Sequence, residues 1–169
     1  MNPEIPVEKI AALPFLYRAT VQPGHIDVMG HMNIRHYLGF YDDAGWHFFA
    51  SVGMDNTYYV ENKAGGFALQ HIIRYLAEVR LDETVAIHAR IVARTDKLIH
   101  FMLFMINENT GKLASTLEAL GAHADMTVRR TSPYPSHVTS KLDVLIAQHN
   151  ALDWDAPVSG AIRLKRSDT

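Results

Sequence analysis

Residues 34–52 carry apolar and aromatic side chains at the 3.6-residue spacing of an α-helix, and this run constrains the fold more than any other feature. Asn33 before it suits a helix N-cap, and Gly53 after it suits a helix end. Because further aromatic residues lie off the main stripe, we expect other elements to cover the helix on several sides. The predicted stripe consists of Ile34, Tyr37, Leu38, Tyr41, Ala44 and Phe48, and the additional aromatic residues are Phe40, Trp46 and Phe49.

One segment before this helix and four segments after it have the patterns of β-strands. Short turns separate the last of these segments, so neighbouring strands are expected to pair antiparallel. Residues 98–106 are almost wholly apolar, which is typical of a strand covered on both faces. The sequence therefore predicts an α+β fold in which a curved antiparallel sheet wraps around one long central helix. The predicted strands span residues 15–22, 67–79, 84–95, 98–106 and 112–129.

Changes in composition divide the 169-residue chain into three parts. Residues 1–14 have the character of a polar N-terminal lead-in, and residues 15–135 are predicted to form a single folded domain. A loop is expected at residues 54–66. Residues 136–169 are predicted to form a short amphipathic helix, up to about Asn150, followed by a loose tail. A domain of this length can bury a sufficient core without cross-links.

Composition excludes several classes of protein. The chain has no cysteine, which rules out disulfides, thiolate metal sites and a cysteine nucleophile. Its net charge is −2 and its basic residues are scattered, so we expect neither a nucleic-acid nor a membrane partner. The N-terminus lacks a charged leader followed by an apolar core, and no apolar run is long enough to cross a bilayer. These features predict a cytoplasmic protein.

The ten histidines raise the question of a metal site. His25, His31 and His36 are five or six residues apart, which is not the i,i+4 spacing of a helical zinc pair. No second cluster of histidine with Asp or Glu is evident in the sequence, so we expect neither a metal nor a cofactor. Histidines on the predicted strands are interpreted as structural residues; they are His71, His88, His100 and His123.

The loop before the central helix holds the residue types that acyl transfer needs. Asp27 follows a strand and precedes the helix, and Gly30 permits a tight turn. The start of the helix offers unpaired N–H groups and the positive end of a dipole, which can hold a developing oxyanion. A carboxylate beside such donors can attack an acyl carbon or activate a water. By itself Asp27 also suits a turn or a helix cap, but its neighbours favour the chemical interpretation.

The pattern Asp27-x-x-Gly30-His31-x-Asn33-x-x-x-Tyr37, followed by an aromatic-rich helix, resembles the signature of hotdog-fold thioesterases of the 4-hydroxybenzoyl-CoA thioesterase type. The resemblance extends over about residues 15–135. Several matched positions at fixed spacing make it considerably more specific than a lone glycine motif.

The resemblance implies a role for each matched residue. Asp27 is expected to be the nucleophile or general base, and the backbone N–H of Ile34 to polarise the thioester carbonyl. Gly30, His31 and Asn33 are expected to shape the loop that aims Asp27, with His31 orienting the loop rather than acting as a base and Asn33 also suiting a helix cap.

One position departs from the pattern. Some relatives carry a glutamate where this chain has Gln70, so a second catalytic carboxylate is not expected there. The chemistry is therefore expected to depend on the single carboxylate in the loop.

Within the family, the sequences GHMN in the loop and IRYLAEVRL in the second strand are most similar to a branch that acts on betainyl-CoA. Aromatic faces hold a trimethylammonium group well. Aromatic side chains also dominate packing and subunit interfaces, and that alternative stays open. The candidate substrate-binding residues are Gly30, Tyr37, Trp46, Phe49, Tyr58 and Tyr59.

Basic side chains suit the phosphates of CoA. Lys97, Arg129 and Arg130 are the candidates, and ordinary solvated charges are the alternative interpretation. CoA is expected only as part of an acyl-CoA substrate.

The resemblance also implies a homodimer or homotetramer with the site at a subunit interface. Thioesterases for short-chain, medium-chain or aromatic acyl-CoA are alternatives for the substrate. A hotdog dehydratase and a non-catalytic acyl-CoA-binding protein are alternatives of other classes. The dehydratase would be expected to carry a histidine with a carboxylate on the helix, and the binding protein a DNA-binding segment. Neither pattern is found in the sequence.

Overall fold

A computed structural model describes residues 5–164 of the chain. In the described chain a short helix, one strand, a 3-10 helix and a long helix come first, and most of the strands follow. The elements in chain order are α1 (Val7–Ala11), β1 (Phe15–Thr20), the 3-10 helix (Pro23–His25), α2 (Ile34–Ser51), α3 (Asn56–Glu61), β2 (Ala64–Tyr75), β3 (Thr84–Arg94), β4 (Leu98–Asn107), β5 (Lys112–Asp125), β6 (Arg130–Thr131) and α4 (Ser136–Asn150).

The strands form one sheet in the order β1-β3-β4-β5-β2, and β6 pairs with the end of β5. Strand β1 is antiparallel to β3, with Tyr17 opposite Ile87. Nearly every residue of β4 is buried, as the apolar run predicted. Strand β2 ends the sheet order, and most of its central residues are exposed. Its backbone groups on the outer side therefore have no neighbouring strand among the described residues.

The chain divides into two compact units, and the first contains the described residues up to Phe48 together with Ile73–Ala89 and Leu103–Leu117. Most of α2 lies in this unit, and its buried face differs in part from the predicted stripe. Ile34 and Leu38 are 63% and 42% exposed, although the helical period places them beside the buried residues, at the edge of the buried face. The buried face consists of Tyr37, Phe40, Tyr41, Ala44 and Phe48.

The second unit contains Phe49–Ile72, Arg90–Met102 and the described residues from Glu118 onward. The amphipathic helix predicted near the C-terminus is present as α4, with Val138 and Leu142 fully buried. His149 near its end accepts a hydrogen bond from the Ile91 N–H at 2.9 Å. This contact satisfies a backbone donor of β3 beyond the residues that pair with β1.

Three segments are more ordered than the sequence predicted. The lead-in contains α1, with Ile10 fully buried. The predicted loop at 54–66 contains α3, whose N-cap Asp55 accepts a hydrogen bond from the Tyr58 N–H. The predicted loose tail has a buried Ile162. These helices are too short to produce a periodic signal, and residues 1–4 and 165–169 lie outside the described residues.

Candidate active site

The loop between the 3-10 helix and α2 forms a closed turn around Asp27. Ile26 and Met32 form an isolated antiparallel bridge at its base. Within the turn, the Asp27 N–H donates to the His31 carbonyl at 3.1 Å, and the Gly30 N–H donates to the Asp27 carbonyl at 3.0 Å. Gly30 has a φ of +82°, a conformation that glycine adopts at little cost. The glycine predicted for a tight turn is therefore at the turn's left-handed position.

The Asp27 carboxylate is held on both oxygens, yet it is still accessible. Its Oδ1 accepts the Met29 N–H at 2.9 Å, and its Oδ2 lies 3.4 Å from the Asn33 Nδ2. The His31 Nδ1 lies 3.9 Å from Oδ1. The side chain keeps 17% of its surface exposed. One short and one long hydrogen bond orient this carboxylate without saturating its lone pairs.

Asn33 connects the carboxylate to the start of α2. Its Oδ1 accepts the Arg35 N–H at 3.2 Å, and its carbonyl accepts the His36 N–H at 3.0 Å. Its own N–H donates to the His25 carbonyl at 2.9 Å. Within the described part of the chain, the Ile34 N–H has no hydrogen-bond acceptor. The first N–H of the helix is thus an available donor at the positive end of the dipole.

The loop is also tied to the segment after β2. The Met32 N–H donates to the Val79 carbonyl at 2.7 Å. On α2, the ring of Tyr37 packs edge-on against Tyr75 at 5.1 Å, and burial raises the pKa of Tyr37. Tyr37 is therefore a neutral phenol at physiological pH, in keeping with a packing role. Trp46 on the same helix is half exposed.

The other aromatic candidates lie in the second unit. The Tyr58 hydroxyl is 2.8 Å from the His123 Nε2, and its ring packs edge-on against Tyr59 at 5.5 Å. Burial lowers the pKa of His123 and raises the pKa of Tyr59 to about 12. Phe49 packs edge-on against another phenylalanine ring at 6.0 Å. The hydroxyl of Tyr58 is thus already committed to a structural partner.

The basic candidates Lys97, Arg129 and Arg130 also belong to the second unit. Within residues 5–164, none of their side chains takes part in an ion pair or a side-chain hydrogen bond. Arg129 has a φ of +53°, which places it in a tight turn before β6. These side chains are available for a polyanionic ligand.

The described chain contains no cluster of metal-binding side chains and no helix suited to cross a membrane. Across residues 5–164, no three His, Asp or Glu side chains are arranged to hold a metal ion. In the same range, no helix combines the length and hydropathy needed to cross a bilayer.

The sheet order, the long helix and the loop before it that carries Asp27 define an α+β hotdog fold. The chain superposes on a Staphylococcus aureus protein solved in complex with CoA, with a TM-score of 0.80 over 90% of this chain and 97% of that one. Sequence identity to it is 21%, so this likeness concerns the fold alone. The predicted fold class is thereby confirmed.

Residues 21–142 match the profile of the Thioesterase-like superfamily, and the chain belongs to this family. It is 30% identical over 154 residues to the L-carnitine dehydrogenase/betainyl-CoA thioesterase of Agrobacterium fabrum, which covers 90% of this chain. The chain spans 31% of that relative's length. It is 22% identical to the betainyl-CoA thioesterase of Pseudomonas aeruginosa, over 88% of this chain and 93% of that protein. The resemblance predicted from the loop motif is confirmed.

Proposed function

We propose that this chain hydrolyses an acyl-CoA thioester to free CoA and a carboxylic acid, with Asp27 and the Ile34 N–H as its chemical groups. The observation that carries the proposal is a carboxylate that is 17% exposed and contacts Asn33, the residue directly before a helix N–H that has no acceptor within residues 5–164. Family membership supports the same class of reaction. Because acyl-CoA is an intracellular compound, we propose that the reaction takes place in the cytoplasm.

Two chemical routes fit this arrangement. In the first, Asp27 removes a proton from a water molecule, and the resulting hydroxide adds to the thioester carbonyl. In the second, the carboxylate itself adds, forming a mixed anhydride that water then cleaves. In both, the Ile34 N–H donates to the oxyanion, and the carbon–sulfur bond breaks to release a CoA thiolate that takes up a proton.

Heavy-oxygen water distinguishes the two routes in a single turnover. If Asp27 attacks as a nucleophile, water cleaving the anhydride at the aspartyl carbon leaves the label in the Asp27 side chain, where mass spectrometry of the peptide detects it. If Asp27 activates water, the label is found in the acid product alone.

We further propose betainyl-CoA as the acyl-CoA substrate. The two relatives described above are named for this activity, and aromatic side chains are available to face a trimethylammonium group. Among the aromatic candidates Trp46, Phe49, Tyr58 and Tyr59, Trp46 has about half of its surface exposed, whereas the Tyr58 hydroxyl is bonded to His123. Trp46 is therefore the first of the four to test.

The experiment is a panel of betainyl-CoA, short and medium linear acyl-CoAs and one aromatic acyl-CoA, with release of free thiol as the readout. We expect the highest kcat/KM for betainyl-CoA and a loss of that preference in Trp46→Ala. Efficient hydrolysis of linear acyl-CoAs with background rates on betainyl-CoA would contradict the substrate proposal. Absence of thiol release from every member would contradict the thioesterase proposal itself.

We also propose that the chain functions as a homodimer or larger assembly paired along β2. This strand ends the sheet order and exposes Leu69 and Tyr75 to about half of their surface. Exposed strand edges pair readily, whereas a lysine on an edge opposes pairing. Light scattering at micromolar concentration should give at least twice the 19.0 kDa chain mass. A monomeric wild type would contradict this assembly, and Leu69→Lys should weaken it.

The free basic side chains Lys97, Arg129 and Arg130 are proposed to meet CoA phosphates. Their lack of ion-pair partners within the described chain supports this role. Charge removal at such sites should raise KM for acyl-CoA more than it lowers kcat, because the phosphates are remote from the reacting carbonyl.

A further inference from the structure

His25 is bonded to both ends of the segment that carries Asp27. Its Nδ1 accepts the Gln22 N–H at 3.0 Å, and its own N–H donates to the Gln22 carbonyl at 2.9 Å. Its carbonyl accepts the Asn33 N–H at 2.9 Å. Asn33 in turn contacts the Asp27 carboxylate. His25 thus links Gln22, which follows β1, to Asn33, which directly precedes α2.

We infer that His25 is a positioning residue whose neutral Nε2–H tautomer keeps the loop closed and Asp27 correctly aimed. The inference rests on the proposed function, because it concerns how the candidate catalytic carboxylate is held. His25 itself acts through Gln22 and Asn33 and is not assigned any contact with substrate.

The direction of one hydrogen bond determines the tautomer. A neutral imidazole has one N–H donor and one acceptor nitrogen, and the backbone N–H of Gln22 can only donate. The Nδ1 of His25 must therefore lack a proton, which places the proton on Nε2. If a second proton binds to Nδ1, two donors face each other and this hydrogen bond is lost. His25 then loses one of the three hydrogen bonds that it makes with Gln22 and Asn33.

The His25 ring packs against two other rings. Its ring lies 4.6 Å from the ring of His36 and packs edge-on against Phe40 at 5.2 Å. Burial lowers the pKa of His36, and the positive forms of His25 and Arg35 add to this effect. The other titratable groups near this segment are Asp27 and His31 of the loop. The neutral form of His36 is therefore favoured beside His25, and the Gln22 N–H determines which nitrogen of the neutral His25 ring carries the proton.

The chain offers a matched pair of variants to test this. In His25→Asn, the side-chain amide oxygen can replace Nδ1 as the acceptor for the Gln22 N–H, but it does not titrate. His25→Ala removes the acceptor at every pH. The pH profile of kcat for acyl-CoA hydrolysis is measured between pH 5 and 8, the range in which imidazoles titrate.

We expect the kcat of the wild type to fall on acidification. His25→Asn should keep a near-wild-type kcat at pH 7.5. Its kcat should fall less at low pH, because the part of the acid limb of the pH profile that depends on the histidine is lost. His25→Ala should lose about tenfold in kcat across the range with little change in KM, as expected for one lost positioning hydrogen bond. An unchanged acid limb in His25→Asn, or full kcat in His25→Ala, would overturn the inference.

Two further measurements separate this inference from the proposed function. Nitrogen-15 NMR of the wild-type imidazole at neutral pH should show a proton on Nε2, and a proton on Nδ1 would overturn the inference without any assay of activity. Asp27→Asn is assayed in parallel. Full turnover in that variant would overturn the proposed role of Asp27, while the NMR result would still decide the tautomer of His25.

Discussion

Asp27 and Glu118 are two carboxylates that each lie near a histidine but differ in how fully the protein satisfies their oxygens with hydrogen bonds. Glu118 accepts from the His100 Nε2 at 2.9 Å and from the Ser159 N–H at 2.7 Å, and its side chain is 3% exposed. Asp27 has one short hydrogen bond, a second contact at 3.4 Å, and a histidine 3.9 Å away. Both oxygens of Glu118 are therefore occupied by the protein, whereas those of Asp27 keep capacity for a substrate or a water.

The difference shows how a structural carboxylate can be told from a chemical one. The contacts of Glu118 join β4, β5 and the C-terminal segment, and removing any of them leaves a buried polar group unsatisfied. The contacts of Asp27 are made within one short loop, so they orient the group at little cost to the fold. We expect substitutions at the two sites to separate activity from stability.

The largest effect is expected at Asp27. Asp27→Asn keeps the size of the side chain and one acceptor oxygen but removes the base or nucleophile. We expect kcat to fall by about 10³-fold, the range seen for loss of such a group, with an unchanged midpoint of thermal unfolding. Steady-state thiol release and calorimetry check the two parts, and a variant that loses stability in proportion to activity would make Asp27 structural.

The converse is expected at Glu118. Glu118→Ala leaves the His100 ring and the Ser159 N–H without their buried acceptor, so the free energy of unfolding should fall by about 3 kcal/mol. Activity per folded molecule should be unchanged. Glu118→Gln, which keeps one acceptor oxygen, should lose less. Denaturant titration gives the stability, and a loss of kcat at full stability would refute the comparison.

Substitution of Asn33 should lower both kcat and stability, each by less than the two changes above, since Asn33 caps α2 and contacts Asp27. Asn33→Ala should cost about 1 kcal/mol of stability and about tenfold in kcat. Asn33→Ser is the matched control, because a serine hydroxyl caps a helix but cannot reach Asp27 in the same way. We expect the serine to restore stability and not turnover; recovery of both would remove the positioning role.

The smallest effect concerns pH. Burial lowers the pKa values of His123 and His149, so both stay neutral in the folded chain where the unfolded chain binds protons. Stability should therefore be complete above about pH 6.5, the ordinary histidine value, and decrease as the pH falls below it towards the lowered values. His149→Asn keeps an acceptor for the Ile91 N–H without titrating, so its stability should depend less on pH.

Much of the fold follows from local patterns. The period of α2 and the alternation in the strands could be read directly, and Asp27, Gly30 and Asn33 could be found because their spacing is local. The buried face of α2 was predicted only in part, because Ile34 and Leu38 are apolar and yet exposed. Periodicity locates an apolar residue on a helix, but it does not distinguish a core from an uncovered surface.

The missed features depend on contacts between distant residues. Glu118 lies 41 positions before Ser159, and Arg90 reaches the Trp154 carbonyl at 2.8 Å across 64 positions. Such pairs have no local signature, so the C-terminal segment was mistaken for a loose tail. The spacing of His25 from other histidines bears only on metal binding, but its place after Pro-Gly and before the loop that carries Asp27 also suits an acceptor for a backbone hydrogen bond.

The most direct test is a crystal structure with a non-hydrolysable acyl-CoA analogue. The proposed mechanism requires that the acyl carbonyl oxygen lie about 3 Å from the Ile34 nitrogen, with the carbonyl carbon facing the Asp27 carboxylate. An analogue bound elsewhere, or with its carbonyl turned away from the amino end of α2, would contradict it.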